Sequence, residues 1–257
     1  MLLDESSLDI VEKALNEISY KNKKRNNIFI LKSTMIPGST NNFIKQFPKL
    51  NIVFNPEFLT ERTAKLDFLT QARIILGGTK RLTKRVAKLF EERFMNTHII
   101  ETDTVTAEMI KYMNNVFFAS KVSIMNEMKL MCDAVGADWS SALKGFAADQ
   151  RIGDSHLNVP GPDGKLGFGG SCFPKDINAF MSMAEELGIK IPTINGAWQT
   201  NLNVRPEQDW NKLEGRAVVK KSKTEEWFDR DPGSTDAKLQ HIIDDEEDNF
   251  CIITGAC

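Results

Sequence analysis

The run Gly167-Phe168-Gly169-Gly170-Ser171-Cys172-Phe173-Pro174-Lys175-Asp176 holds the residues best suited to covalent chemistry. Glycines let a backbone approach a ligand closely and expose its N–H groups. Pro174 suits an early helical position, which puts Cys172 at the mouth of a helix. A helix N-terminus and the adjacent Lys175 both favour thiolate over thiol, and the thiolate is the nucleophilic form. The same run also reads as a small buried cysteine beside a glycine turn, since free cysteine is among the most buried residue types. Local pattern leaves both readings open.

Other polar residues are ambiguous when taken singly. Lys111 and Asn115 are four apart, hence on one helix face; flanked by Met113 and Val116, they read as its exposed edge. Glu57 and Glu61 read as solvated loop carboxylates, and Thr34 as a cap at a strand end. Arg151 alone is uninformative.

The elements that must position these residues follow from periodicity. Leu8, Val11, Leu15 and Ile18 recur at helical spacing and predict an amphipathic helix over about 6–22. Compact apolar runs at Ile28–Leu31, Ile52–Phe54, Arg73–Leu76 and His98–Ile100 predict buried strands. Their alternation with helical stretches, notably Arg81–Phe94, predicts an α/β fold with a parallel sheet covered on both faces. From Thr104 to about 135 there is no Gly or Pro, and Met109, Met113, Val116, Ser120, Ile124, Met128, Met131 and Val135 mark one stripe. That helix spans ~45 Å at 1.5 Å per residue. Helices over about 139–147, 174–187 and 193–213 follow, with a Gly- and Pro-rich loop at 155–171.

Composition bounds the partners. The chain has 257 residues and a formal net charge of -2, which gives no reason to expect nucleic acid or an anionic membrane. Residues 221–257 hold ten acidic and four basic residues, whereas the first 220 hold 29 basic and 25 acidic, a mildly basic body compatible with an anionic substrate. This acidic tail reads as solvated, with Phe250–Ile253 as a lone strand. The four cysteines make no C-x-x-C pair and the three histidines lie far apart, so no metal site is expected. The N-terminus has no signal-peptide pattern, and no apolar stretch approaches the ~20 residues of a membrane span. A cytoplasmic protein with reduced thiols is the expectation.

Five segments, taken in order, resemble the UDP-glucose/GDP-mannose dehydrogenase family. The cysteine run is similar to its active-site signature. Lys32–Thr40 resembles the strand-end segment beside the nicotinamide, and Asn55–Glu61 the substrate-side loop. Glu108–Asn115 resembles the start of the central helix, and Asp149–Gly153 the segment whose arginine reaches a neighbouring subunit. The resemblance implies NAD-dependent oxidation of a UDP-sugar C6 alcohol, UDP-glucose first, to the uronate. Cys172 would be the nucleophile of a thiohemiacetal and thioester route. Lys111 and Asn115 would stabilise oxyanions at C6, while Asp176, Glu61 and Thr34 would order or activate the hydrolytic water. Glu57, Phe58, Leu59, Lys111, Asn115, Phe168, Gly169 and Gly170 would line the substrate site, with Arg151 crossing from a partner. Thr34, Glu61 and Lys175 would face NAD. A homodimer built on the long central helix is implied.

Two departures from the family pattern stand out. None of the 16 glycines forms the G-x-G-x-x-G turn that holds a dinucleotide pyrophosphate, so the sheet is expected to have an uncovered edge. After Leu213–Val219 the family's nucleotide-binding domain does not follow. Residues 1–103 thus read as the C-terminal part of an NAD-binding Rossmann-like domain. Residues 104–213 read as an all-helical central domain, and residues 214–257 as an acidic tail in place of a UDP-binding domain. A split enzyme would need a complementing N-terminal chain as partner. The alternatives are a non-catalytic dimerising or nucleotide-sugar-binding remnant, or an enzyme for GDP-mannose or a UDP-N-acetylhexosamine.

Overall fold

The computed structural model describes residues 5–22, 26–60, 63–213, 239–240 and 250–253. Among these, one compact unit runs to Lys111 and includes the two C-terminal strands; the other begins at Tyr112.

The first unit contains α1 (Glu5–Lys21), β1 (Ile28–Leu31), α2 (Ser39–Gln46), β2 (Asn51–Phe54), α3 (Ala64–Leu69), β3 (Arg73–Gly77), α4 (Lys80–Arg93) and β4 (His98–Thr102). It also takes in the first two turns of α5 (Thr104–Val135). β1 is buried along its whole length, as a strand covered on both faces must be. Phe29 and Leu31 pack with Val11 and Leu15 of α1 and Phe43 of α2, whereas Ile28 and Ile30 pack with Val86 and Phe90 of α4. The runs of β1, β2 and β3 are buried because both faces are covered, whereas β4, expected to be buried too, is exposed or only partly buried along its length.

The sheet is parallel at β1–β2 and β3–β4, as the alternating pattern predicts, but β2 and β3 meet antiparallel through the single pair Phe54 and Gly77. Asn55 takes over where that ladder stops. Its N–H donates to Leu31 O at 2.8 Å and its amide donates to Ile75 O at 2.8 Å.

Two expectations about the tail are corrected. The sheet edge beside β1 is not open, and Phe250–Ile253 is not a lone strand. β6 (Phe250–Ile253) pairs with β1 in parallel, and β5 (Leu239–Gln240) pairs antiparallel with β6, so the sheet order is β4-β3-β2-β1-β6-β5. The apolar residues of β6 find both layers of the core, which local charge patterning could not foretell. The rest of the tail, 214–238, 241–249 and 254–257, lies outside the described residues.

The second unit is helical: the remainder of α5, then α6 (Trp139–Ala147), α7 (Cys172–Glu186), α8 (Pro192–Val204) and a 3-10 turn at Asp209–Lys212. α8 stops at Val204 instead of continuing to 213 because Pro206 forces Arg205 out of the helical region, to φ -129° and ψ 66°. The apolar stripe read from α5 mostly faces outward. Met113, Ile124, Met128, Met131 and Val135 are exposed, while Lys111, Tyr112, Asn115, Val116, Ala119, Ser120, Ser123 and Asn126 are buried. The reading of Lys111 and Asn115 as an exposed edge is therefore overturned. Among the described residues no helix is long and apolar enough to cross a membrane.

Candidate active site

In the helical unit, α7 begins two residues earlier than expected, and Cys172 is its first residue. The thiol is half-buried, 3.8 Å from the Ser171 hydroxyl. The first helical N–H groups have no intrahelical acceptor, so negative charge on this sulfur is favoured. Asp176 lies one turn further along the same face and is 1% exposed. A bare carboxylate at that depth would be costly. It is met by Asn115 Nδ2 at 2.5 Å and by Lys175 Nζ at 2.7 Å. Asp176 and Asn115 are thus tied together one turn along the helix from Cys172, with Lys175 also bound to Asp176.

The glycine loop before Cys172 is clamped by residues that sequence reasoning missed. Buried Asn201 accepts from Phe168 N–H at 2.7 Å and donates to Phe168 O at 3.0 Å, a two-way grip on the backbone of one residue. Asn126 accepts from Gly167 N–H at 3.0 Å. Arg205, 2% exposed, donates to Leu166 O at 3.2 Å, to Asp163 at 2.7 Å and to Asp209 at 2.7 and 2.9 Å. Those bonds hold the Asp209 carboxyl below the usual range. The Phe168 ring packs inward against Ala119 and Ile177, so this residue serves the loop through its backbone. The signal available in sequence was faint: Asn201 and Arg205 are four apart on a segment that otherwise reads as ordinary helix.

Glycine is required in this loop by contact as well as by conformation. Gly167 has φ +66°, and a methyl there would run into Asn201 Oδ1; a methyl at Gly169 would meet the Arg205 guanidinium. Gly167→Ala is expected to lose about 1–2 kcal/mol from the left-handed backbone alone. A urea melt measures it, and an unshifted midpoint would show that the loop is not held as described.

In the sheet unit, Lys111 is 8% exposed and donates to Glu57 O at 2.6 Å. The Phe58 ring lies beneath two cations, Arg73 at 4.4 Å and Lys111 at 5.6 Å from its centroid. Such contacts are favourable where water is partly excluded. Lys32, absent from the sequence-based site, donates to Asn55 Oδ1 at 2.9 Å and lies 3.3 Å from the Glu57 carboxylate. Lys111 thus holds the Glu57 backbone and Lys32 the Asn55 and Glu57 side chains, with Leu59 half-buried at the end of the segment. Thr34 is half-buried three residues beyond β1. Glu108 anchors the segment that follows it, accepting from Gly38 N–H at 2.6 Å and Thr40 N–H at 2.8 Å. Burial raises the Glu108 carboxyl above its ordinary value despite those donors.

Two predicted residues stand apart. The Arg151 side chain is 89% exposed and pairs with its neighbour Asp149 at 2.6 Å. Glu61 lies outside the described residues. Thr34, Glu57, Phe58, Leu59 and Lys111 belong to the sheet unit; Asn115, Arg151, Phe168, Gly169, Gly170, Cys172, Lys175 and Asp176 belong to the helical one.

Solved structures place this architecture among α/β dehydrogenases. A UDP-glucose dehydrogenase from the hyperthermophilic archaeon Pyrobaculum islandicum matches with TM-score 0.67 at 28% identity, over 80% of this chain and 49% of that one. A 3-hydroxyisobutyrate dehydrogenase from Mycobacterium tuberculosis, at 16% identity and TM-score 0.63 over 78% of this chain and 72% of that one, shares the fold alone.

Sequence comparison is more particular. The UDP-glucose/GDP-mannose dehydrogenase family matches through its NAD binding domain at residues 3–94 and its central domain at 105–203. The UDP-glucose 6-dehydrogenase of Rickettsia conorii is 34% identical over 215 residues, covering 82% of this chain and 48% of the relative. That of Rickettsia bellii is 40% identical over 185 residues, covering 70% and 41%. The chain belongs to the UDP-glucose/GDP-mannose dehydrogenase family. It spans about half the length of the curated relatives it matches.

Proposed function

We propose that this chain holds the reacting centre of an NAD-dependent UDP-sugar dehydrogenase, oxidising the C6 alcohol of UDP-glucose to the uronate. The supporting observation is Cys172 on the first turn of α7, with Asp176 one turn on and bound by Asn115. Cys172 adds to the C6 aldehyde formed by the first oxidation. The resulting thiohemiacetal loses a hydride and a proton to become a thioester. NAD, when bound, accepts the hydride of each oxidation. Water then adds to the thioester carbonyl, the thiol leaves, and the carboxylate is released.

The side chains divide this work. Asp176 orders or deprotonates the hydrolytic water, with Thr34 and Glu61 as its partners in that task. Lys111 and Asn115 donate to the C6 oxygen as it becomes anionic. Each has donor capacity beyond its bond to Glu57 O or Asp176, because an ammonium has three N–H groups and a carboxamide two. Glu57, Phe58 and Leu59, with the Phe168–Gly170 backbone, line the sugar-nucleotide site.

NAD fits these residues at one end. Thr34 follows the carboxyl end of β1, where doubly wound sheets bind their ligands, and with Glu61 and Lys175 it serves the cofactor side. The 257 residues contain no G-x-G-x-x-G, the turn that holds a dinucleotide pyrophosphate. A complementing N-terminal segment is therefore part of the proposal. We assign residues 1–103 to the cofactor half and 104–213 to the central domain. Residues 214–257 form the acidic tail, and the protein acts in the cytoplasm.

The outward stripe of α5 supports a homodimer. Met113 is 60% exposed, Phe117 63%, Met131 61% and Val135 72%, a row of large apolar groups that a second copy would cover. Arg151 then extends towards the partner's substrate. Phe117→Glu with Met131→Glu is expected to sediment as a monomer where the parent is a dimer. A monomeric parent at micromolar concentration would remove the dimer from the proposal.

The direct test is NADH absorbance with UDP-glucose, alongside GDP-mannose and a UDP-N-acetylhexosamine, with and without an added N-terminal segment. Preference for another sugar would change the substrate. Silence in every case, with sugar binding retained, would leave a non-catalytic remnant.

A further inference from the structure

We infer that β6 is an internal donor strand, holding the sheet position that the first strand of a dinucleotide-binding fold would take. In the doubly wound order 3-2-1-4-5-6, strand 1 lies beside strand 4 and ends in the glycine turn for the pyrophosphate. Here β1 and β2 are successive parallel neighbours in the manner of strands 4 and 5, and the other neighbour of β1 is β6.

The pairing is parallel and continuous. Ile28, Phe29, Ile30 and Leu31 align with Phe250, Cys251, Ile252 and Ile253, and Lys32 N–H donates to Ile253 O at 3.0 Å. The packing is two-sided as well. Cys251 and Ile253 join the layer of Val11, Leu15 and Leu31, while Phe250 and Ile252 join that of Ile28, Ile30 and Val86. Alternating contribution to both layers marks an interior strand; a tail resting against an edge would bury one face at most. Among the described residues, the strand beyond β6 is the two-residue β5, a short strand of the kind that discourages further pairing.

The consequence is that the β1 edge is already satisfied within this chain. A segment bringing a first strand and its glycine turn must displace β6, so the tail opposes the complementation that dinucleotide binding requires. The inference rests on the sheet and stands whether or not the chain oxidises a sugar.

The test uses the full chain with Phe29→Cys, since position 29 aligns directly with Cys251. Neighbouring strands lie about 5 Å apart, within disulfide reach. Mild oxidation at low protein concentration is expected to give an intrachain link between positions 29 and 251 in peptide maps. Adding Cys251→Ala should abolish it. A link between chains would place a second copy's tail on the edge and overturn the inference, as would reduced, freely alkylated thiols at both positions. Because Phe29 is a core residue, hydrogen exchange on the unaltered chain provides the independent reading. Residues 28–32 and 250–253 are expected to be protected together; rapid exchange at 250–253 beside a protected β2 would overturn it equally.

Discussion

Cys172→Ala is expected to end sustained NADH formation from UDP-glucose while leaving the helical unit folded. The two halves of that result have separate causes. The side chain is half-buried, with its sulfur 3.8 Å from Ser171 Oγ, so its loss opens no large cavity and the melting temperature should hold. Without the sulfur there is no thiohemiacetal, and the second oxidation has no covalent path. Removing the nucleophile of a covalent mechanism can cost on the order of 10^6-fold in turnover. The first oxidation does not need the thiol, so a stoichiometric trace of NADH and a trappable aldehyde are compatible with the idea. Continued turnover by the alanine variant would rule out the sulfur as nucleophile and return Cys172 to a packing role. The assay belongs on whichever form of the chain, alone or complemented, turns over.

Arg205→Ala is expected to destabilise the helical unit by about 3 kcal/mol, near the lower end for a broken buried ion pair. Arg205 is 2% exposed and joins Asp163, Asp209 and Leu166 O, so its removal strands two carboxylates and a carbonyl beneath the glycine loop. The partners keep side-chain exposures of 31% and 29%, which is why the lower end applies. The pH dependence has a definite sign. The hydrogen bond from Arg205 depresses the Asp209 carboxyl in the folded state. A depressed carboxyl adds stability above its unfolded value, about 3.9, and that stability is lost as pH falls through the folded value. The parent should therefore lose stability on acidification below about pH 4, and the variant should lose less. Thermal melts at neutral and acid pH measure both effects. Equal melting of parent and variant at neutral pH would mean the cluster does not hold the loop.

How much of this was legible in the residues differs by element. The strands at 28–31, 73–77 and 98–102 and the whole of α5 follow from local apolar runs and from a stretch without Gly or Pro. Both signals are local, so no partner element is needed to read them. The same holds for the cysteine loop, whose composition alone marks close backbone approach. The direction in which a helix face points is a different matter. Met113, Met128 and Met131 make as good an inward stripe as an outward one until a neighbour is known, and here the buried face includes Lys111, Asn115, Ser120, Ser123 and Asn126.

The grips on the loop belong to the same class. Asn201 meets Phe168, Arg205 meets Asp163, and Asn115 meets Asp176 across long stretches of chain, and a lone Asn or Arg has no period to betray it. By itself the sequence determined the chemistry on offer: a cysteine at a helix mouth, an ordered set of polar partners, and alternating strands and helices. Those depend on residue type and short-range spacing. Only the tertiary structure decided which side of α5 is buried, what immobilises the glycine loop, and that Phe250–Ile253 closes the sheet beside β1. Each of those is settled by which distant surfaces pack together, and packing energy is shared among residues that no local pattern connects.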